Sequence, residues 1–263
     1  MKLKNRTELK NKLEYHYRKF DRSTLSPDPL EFPHKFTNYF DIEIAALLAS
    51  VFAYGNVSQI NSSLDKIFSV TEWKPYDFVL DFSLKKQSKL FAQIKHRFYT
   101  SNDIAVLFAA LNRIYQSNDS LKKFFLMYYF DKDENLKEAI SFFSENMNGI
   151  FKHISDLSHG LKFMFPNPKT GSACKRMNLF LRWMVRKDSL DLGLWNEIPK
   201  SKLLIPVDTH VARICKELKL TRLNNISWKM AEEITESLKH FDSNDPVKYD
   251  FAICHIGMRK MEL

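Results

Sequence analysis

The stretch IPVDTHVARICKELKL, residues 205–220, places one acidic residue at the start of an amphipathic helix. Pro206 cannot sit inside a helix. Asp208 follows it at the position of an N-cap, where a carboxylate accepts backbone N–H groups of the first turn. Apolar residues then recur at helical spacing from Val207 to Leu218. Helix capping alone explains an aspartate at this position, so a chemical role for Asp208 competes with that simpler interpretation.

A second stretch whose residues could do chemistry begins with the loop PNPKTG, residues 166–171, and leads into a helix predicted from Ser172 onward. Lys175, Arg182 and Arg186 recur at i, i+7 and i+11, so they form a basic stripe on that helix. Helix N-termini and exposed backbone N–H groups bind phosphates. The stripe therefore indicates phosphate contacts, although solvated charge explains the same residues.

The composition favours a polyanionic partner, because the 263 residues carry a formal net charge of +9. Nucleic acid is the first candidate for such a basic protein. Cys174, Cys215 and Cys254 show no paired spacing, so neither a disulfide framework nor a zinc site is expected. No apolar run has membrane length, and the charged start lacks a signal peptide. We expect a cytoplasmic protein that does not associate with a membrane.

Helical periodicity dominates the chain, and period-2 alternation of strand length does not occur. Only 6 residues are glycine, which suits long helices with few tight turns. The fold class predicted is all-α, with roughly ten to twelve helices of typical length. A proline-rich irregular segment is predicted for residues 26–34. Besides those two stretches, helices are predicted for residues 2–20, 41–54, 57–70, 90–99, 104–116 (capped by Asp103), 121–130 (capped by Ser120), 136–147, 150–157 and 228–241.

Four motifs together carry a resemblance to a known family: GSACK at Lys175, VDTHVARI at Asp208, LLASVFAYGNVSQI at residues 47–60 and FAICHIG at residues 251–257. Together, with the lysine element followed by the aspartate element, they resemble the endonuclease III superfamily of helix-hairpin-helix DNA glycosylases, from about residue 40 to residue 257. The resemblance implies one glycosylase-like unit with two helical lobes flanking a DNA-binding cleft. One lobe would span about 36–186, and the other about 1–35 plus 190–263, with Lys175 and Asp208 facing each other across the cleft.

A closer resemblance is carried by HRFYTSNDIAVLFAAL, residues 96–111, together with the segments around Lys175 and Asp208. These segments resemble a largely uncharacterised bacterial family that we place in the same superfamily. The 33 positions between Lys175 and Asp208 (208 − 175) are similar to the spacing in archaeal 8-oxoguanine DNA glycosylases. That similarity implies an oxidised base, chiefly 8-oxoguanine, as the substrate.

The sequence also departs from the superfamily pattern. Ala173 stands where a second hairpin glycine is usual, Pro166 and Pro168 crowd the loop, and the iron–sulfur cysteines of endonuclease III are absent. The glutamine often found in the DNA-facing turn is not at its usual place. Tyr54, Asn56 and Gln59 are the substitutes that we consider.

The mechanism implied by the resemblance is that of a DNA glycosylase with AP lyase activity. The damaged base leaves the duplex, the amine of Lys175 attacks the sugar C1′, and a Schiff base forms that permits β-elimination. Asp208 would stabilise the developing positive charge and help to deprotonate the nucleophile. Burial near Arg176, or the helix N-terminus, could lower the lysine pKa. No metal or cofactor is needed.

The resemblance also suggests further site residues, with double-stranded DNA carrying a damaged base as the partner of a monomeric, nucleoid-associated bacterial protein. DNA contacts would come from Gly171, Ser172, Arg176, Arg182, Tyr54, Asn56, Gln59 and Arg213. A pocket for the flipped base would use Trp183, Phe165, His255 and Phe251, for which packing in the core is the competing explanation.

Two other classes of function remain open. A non-catalytic helical protein that binds DNA or RNA would keep the basic surface and need neither Lys175 nor Asp208. A monofunctional glycosylase for alkylated bases would use Asp208 with an activated water molecule, and it would release a base without nicking the strand.

Overall fold

A computed structural model describes the backbone from Leu3 to Arg259 and the side chains from Arg6 to Ile256. In this part of the chain the regular elements are helices, so the predicted all-α class is confirmed. Short 3-10 turns connect several of them, and three of these turns, Arg22–Thr24, Pro29–Glu31 and Pro33–Lys35, lie between residues 22 and 35. The α-helices are α1 (Leu3–Tyr17), α2 (Tyr39–Phe52), α3 (Val57–Val70), α4 (Pro75–Leu80), α5 (Leu84–Gln87), α6 (Ser101–Asn118), α7 (Leu121–Leu126), α8 (Lys137–Ile154), α9 (His159–Met164), α10 (Lys175–Val185), α11 (Thr209–Glu217), α12 (Trp228–Lys239) and α13 (Asp250–Arg259).

The described residues divide into two compact units. Unit 1 comprises those of Met1–Leu25, Glu134–Leu136 and Pro168–Leu263, and unit 2 comprises Ser26–Asp133 and Lys137–Asn167. This division differs from the predicted lobes because α10 belongs with α11, α12 and α13 rather than with the preceding helices. Lys175 and Asp208 therefore lie in the same unit. Residues 1–2 and 260–263 of the predicted second lobe lie outside the described residues.

Unit 2 is built around α2, whose residues from Glu43 to Phe52 are all buried. Asn38 caps this helix, and its side chain accepts hydrogen bonds from the backbone N–H groups of Phe40 and Asp41. Helix α2 packs against α3 and α4, so its burial contributes apolar area to the core of this unit.

Several predicted boundaries in unit 2 differ from the structure. Helix α3 matches its prediction, but the helix predicted for residues 90–99 is wrong, because a tight turn joins His96 to Tyr99. Helices predicted for 136–147 and 150–157 are one helix, α8, since Gly149 lies in open space and is tolerated inside it. Asp103 is not the cap of α6 but its third residue, paired with the true cap Thr100.

Unit 1 contains α10, α11 and α13, together with the candidate catalytic residues Lys175 and Asp208. Helices α11 and α13 pack against each other, and α1 packs against α13. Leu9 and Leu13 of α1 are buried in this unit. Unit 1 therefore holds the starts of α10, α11 and α13 within one packed assembly.

None of the helices between Leu3 and Arg259 combines the length and the apolar character that crossing a bilayer requires.

Candidate active site

The loop before α10 determines where that helix begins. Cys174 has a left-handed backbone with φ 46°, and its N–H donates to the hydroxyl of Ser172 at 3.2 Å. The side-chain amide of Asn178 donates to the backbone carbonyl of Ala173 at 3.0 Å. The helix consequently starts at Lys175, three residues later than predicted, because a left-handed residue cannot continue a right-handed helix.

The predicted cap of α11 is confirmed. One carboxylate oxygen of Asp208, Oδ1, accepts the backbone N–H groups of His210 at 2.9 Å and Val211 at 3.0 Å. The other oxygen, Oδ2, lies 3.1 Å from the Nζ atom of Lys175. Capping and pairing with lysine are therefore compatible, because each uses a different oxygen of the same carboxylate.

The ion pair of Lys175 and Asp208 is accessible to solvent without being fully exposed. The two side chains keep 30% and 21% of their surface exposed. Burial by itself would raise the pKa of Asp208, but the ammonium group of Lys175 and the hydrogen bond from Val211 lower that pKa below its ordinary value. Asp208 is accordingly an ionised carboxylate beside an amine that a ligand can approach.

The loop that carries Gly171 lies at the surface next to the start of α10. Gly171 has φ +89°, and its backbone carbonyl accepts the N–H of Trp228 at 3.0 Å, which joins this loop to α12. A non-glycine residue would be strained by that φ, although nothing lies within 4 Å of an added Cβ. Gly171 is exposed and Ser172 half-buried, as contacts to a large ligand require.

The basic stripe predicted on α10 is not a surface stripe. Arg182 and Arg186 are both buried, with side-chain exposures of 3%. Arg176 is buried as well. The assignment of Arg182 and Arg176 to DNA contacts is therefore corrected, since an arginine inside the protein does not reach a phosphate. The physical reason at Arg182 is that its side chain, like that of the neighbouring Arg186, packs inward against aspartates that later parts of the chain supply.

Arg182 binds two of these carboxylates. Its Nε and Nη2 atoms donate to Oδ1 of Asp191 at 3.2 and 3.0 Å, and its Nη1 atom donates to Oδ2 of Asp250. Burial alone would lower the pKa of Arg182, but Asp191 and Asp250 raise it above its ordinary value. Arg182 is thus permanently charged and joins α10 to the first residue of α13.

Arg186 extends the same cluster one turn further along the chain. Its Nε and Nη2 atoms bind both oxygens of Asp245, at 2.8 and 3.1 Å, in a bidentate pair. Arg186 also pairs with Asp191 and, at 3.0 Å, with Asp188. We call Arg182, Arg186, Asp188, Asp191, Asp245 and Asp250 the arginine–aspartate cluster.

The segment after α10 folds back to bring two aspartates to this cluster. Asp188 accepts the backbone N–H groups of Leu190 and Asp191, each at 2.8 Å. The N–H of Leu192 then donates to the carbonyl of Trp183 at 2.8 Å. The sequence prediction did not include these carboxylates, because the spacing of the arginines does not specify which residues their face of the helix packs against.

The four residues predicted to form a base pocket are all core residues. Trp183, Phe251 and His255 are buried in unit 1, where the rings of Phe251 and His255 stack with centroids 4.1 Å apart. Phe165 is buried in unit 2. None of them offers a free ring face to solvent. Core packing, the competing explanation, therefore accounts for their positions.

The remaining predicted DNA contacts are more exposed. Tyr54, Asn56 and Gln59 belong to unit 2, where Asn56 caps α3 and Gln59 is exposed. Tyr54 is half-buried and its hydroxyl accepts the backbone N–H of Phe98 at 3.0 Å. Arg213 is exposed on α11 of unit 1, 3.1 Å from Glu217.

No group of three or more His, Cys, Asp or Glu residues is arranged to hold a metal ion within the part of the chain that the structure describes. The described chain is an all-α protein in which a solvent-accessible lysine–aspartate pair lies at the starts of two helices.

Residues 28–259 match the model of a family described as a protein of unknown function (DUF2400), and the chain belongs to that family. No curated protein and no solved structure matches the chain.

Proposed function

We propose that this protein is a base-excision-repair DNA glycosylase with AP lyase activity, in which Lys175 is the nucleophile and Asp208 assists it. The observation that carries the proposal is the 3.1 Å contact between Nζ of Lys175 and Oδ2 of Asp208 at a solvent-accessible position. The sequence motifs around the two residues resemble those of the endonuclease III superfamily. The substrate proposed is an oxidised base in double-stranded DNA, chiefly 8-oxoguanine.

The chemistry assigns one role to each side chain. The neutral amine of Lys175 forms a bond to the sugar C1′ while the bond from C1′ to the base breaks, and the base leaves with a proton. Opening of the sugar ring gives an imine, from which β-elimination breaks the bond from C3′ to its phosphate oxygen. Ionised Asp208 takes the proton from the lysine and stabilises the positive charge that develops on the sugar.

The position of the pair suits a negatively charged substrate. Helices α10 and α11 both begin at it, and helix N-termini carry partial positive charge that favours phosphate groups. The exposed loop at Gly171 supplies backbone near the same place. The net charge of +9 adds a general attraction for nucleic acid.

A monofunctional glycosylase is the second candidate, because Asp208 is ionised and partly exposed and could activate a water molecule instead of a lysine. That enzyme would release a base, form no imine and tolerate Lys175→Gln. A nucleic-acid-binding protein without catalysis is the third candidate. It would bind DNA while both residues serve only the structure.

The test is borohydride trapping on duplex oligonucleotides that contain 8-oxoguanine, a ring-opened pyrimidine lesion or an abasic site. We expect a covalent adduct with the wild-type protein and none with Lys175→Gln, while DNA binding survives. Lys169→Gln, which removes an exposed lysine six residues upstream, is the matched control and should keep the adduct.

Each other outcome selects a different candidate. Nicking by Lys175→Gln would show that another residue is the nucleophile. Base release without any adduct would identify the monofunctional enzyme. Binding without either product would leave Asp208 as a helix cap.

A further inference from the structure

Asp250 is the member of the arginine–aspartate cluster whose carboxylate is only half satisfied. It is the first residue of α13, and 3% of its surface is exposed. Its Oδ2 atom accepts a hydrogen bond from Arg182, whereas its Oδ1 atom is buried and has no hydrogen-bond partner. A buried carboxylate oxygen without a donor destabilises the ionised form, so this geometry favours proton uptake by Asp250.

Asp250 also lies within electrostatic range of the candidate catalytic pair. Helix α13 packs against α11, and the negative charge of Asp208, at the start of α11, acts on Asp250. Both carboxylates act in turn on the buried thiol of Cys215, which raises its pKa after the larger effect of burial. The charged groups that act on Asp250 are Arg182 on α10, Asp191 in the turn after it and Asp208 at the start of α11. Cys215 on α11 and His255 on α13 are the titratable side chains of those two packed helices. From α1 and the approach to α13, the titratable groups are those around the neighbouring Tyr249, namely Glu14, Tyr17 and Lys248.

We propose that Asp250 is a positioning residue for the Lys175–Asp208 pair: the charge on its buried carboxylate sets how strongly the amine of Lys175 holds a proton. This inference deepens the proposed function, since it rests on Lys175 being the amine that reacts. The hydrogen bond of Asp250 is to Arg182 rather than to Lys175.

The direction of the effect follows from the signs of the charges. An ionised Asp250 adds a second negative charge behind Asp208 and stabilises the ammonium form of Lys175. A neutral Asp250 removes that charge and leaves the positive charge of Arg182 less compensated, and both changes favour the free amine. Protonation of Asp250 therefore increases the fraction of Lys175 that can act as a nucleophile at a given pH.

The two carboxylates behave differently because their surroundings differ. Burial raises the pKa of Asp250 to about 6, against the opposing effect of Arg182. The pKa of Asp208 is instead lowered, chiefly by Lys175 against the effect of burial. Asp250 thus changes charge over a pH interval in which Asp208 stays ionised, which allows it to modulate the pair without dismantling it.

The experiment measures the lysine directly and needs no DNA. Reductive methylation with formaldehyde and cyanoborohydride is followed at Lys175 by peptide mass spectrometry between pH 5 and pH 10. We compare the wild-type protein with Asp250→Asn and with Asp245→Asn, a matched variant that removes a carboxylate bound to Arg186 in the same cluster. We expect Asp250→Asn to lower the apparent pKa of Lys175 by about half a unit or more, which is ~3-fold more modification at pH 7. Asp245→Asn should leave the profile of Lys175 unchanged.

The wild-type profile provides a second test that does not depend on a variant folding. Because Asp250 gains a proton near pH 6, the logarithm of the wild-type modification rate should rise with pH by less than one unit per pH unit there. A slope of one in that interval, or equal profiles for the wild type and Asp250→Asn, would overturn the proposal. An equal shift in both variants would also overturn it, because loosening of the cluster would then be the cause.

These outcomes are separate from the test of the proposed function. Borohydride trapping on DNA can fail while the methylation profile of Lys175 still responds to Asp250. Conversely, an adduct at Lys175 combined with an unchanged methylation profile would support the enzyme and reject the role of Asp250.

Discussion

The two ends of helix α10 hold ion pairs that differ in their exposure to solvent. At the N-terminal end of α10, Lys175 meets Asp208 with 30% and 21% of the side-chain surfaces exposed. Two turns later, Arg182 and Arg186 meet their aspartates with 3% of their own side chains exposed. Lysine can lose its proton when its surroundings change, whereas arginine stays charged. The exposed pair is suited to chemistry, and the buried cluster is suited to holding α10 against α13.

This contrast predicts that stability and reactivity can be separated by mutation along one helix. Removing one member of a buried ion cluster leaves an uncompensated charge inside the protein. Removing one member of a partly exposed pair leaves a partner whose charge water can solvate. The arginines should therefore matter most for folding. The lysine should matter most for the proposed reaction.

The largest effect on stability is expected for Arg186→Met. The substitution leaves Asp245 buried without its bidentate partner and removes one of the two arginines that bind Asp191, so the free energy of unfolding should fall by about 3–5 kcal/mol. Urea denaturation measured by circular dichroism tests this value. A loss below about 1 kcal/mol would mean that the cluster does not hold the unit together, and the contrast between the two ends of the helix would fail.

A smaller effect is expected at Asp208, where two substitutions separate the cap from the charge. Asp208→Ala removes the cap of α11 and should cost about 1–2 kcal/mol, whereas Asp208→Asn keeps the acceptor and should stay within about 1 kcal/mol of the wild type. Both variants should slow imine trapping by about 10²–10⁴-fold, because both lack the carboxylate charge. Normal trapping by Asp208→Asn would show that capping is the only role of Asp208.

The stabilisation by the Lys175–Asp208 pair should depend on pH with a defined sign. The pKa of Asp208 is lowered in the folded protein, so the unfolded chain binds a proton first as the pH falls below the ordinary value of 3.8. The contribution of its charge is therefore complete above that pH and is lost as the pH falls through the folded pKa. The difference in unfolding free energy between wild type and Asp208→Asn, measured at pH 7 and in steps down to pH 3, should shrink at the acidic end. A constant difference would contradict this assignment.

The smallest effect is expected for Arg213→Met, which serves as the exposed counterpart of Arg186→Met. Arg213 pairs with Glu217 at 3.1 Å on the surface of α11, with half of each side chain in solvent. Its loss should change the unfolding free energy by less than about 0.5 kcal/mol. An effect on DNA affinity without an effect on stability would support the predicted phosphate contact of Arg213. A stability loss comparable with that of Arg186→Met would show that burial does not explain the expected difference between the two arginines.

Part of this protein follows from local sequence patterns alone. The apolar spacing within residues 57–70 predicts a helix with the bounds that α3 has, and Asp208 before the spacing of α11 predicts its cap. Both features depend on residues within one or two turns, which is the range over which capping and amphipathic periodicity act. The all-α class follows from the same signals summed over the chain.

Tertiary structure alone decided which basic residues face solvent. Lys175, Arg182 and Arg186 share one face of α10 by their spacing, but spacing does not state what that face packs against. The partners Asp245 and Asp250 lie 59 and 68 residues later in the chain, and they meet Arg186 and Arg182 only because α13 and the segment before it pack into the same unit. The 3.1 Å contact between Lys175 and Asp208 was likewise decided by packing, since a separation of 33 positions in sequence specifies no distance in space.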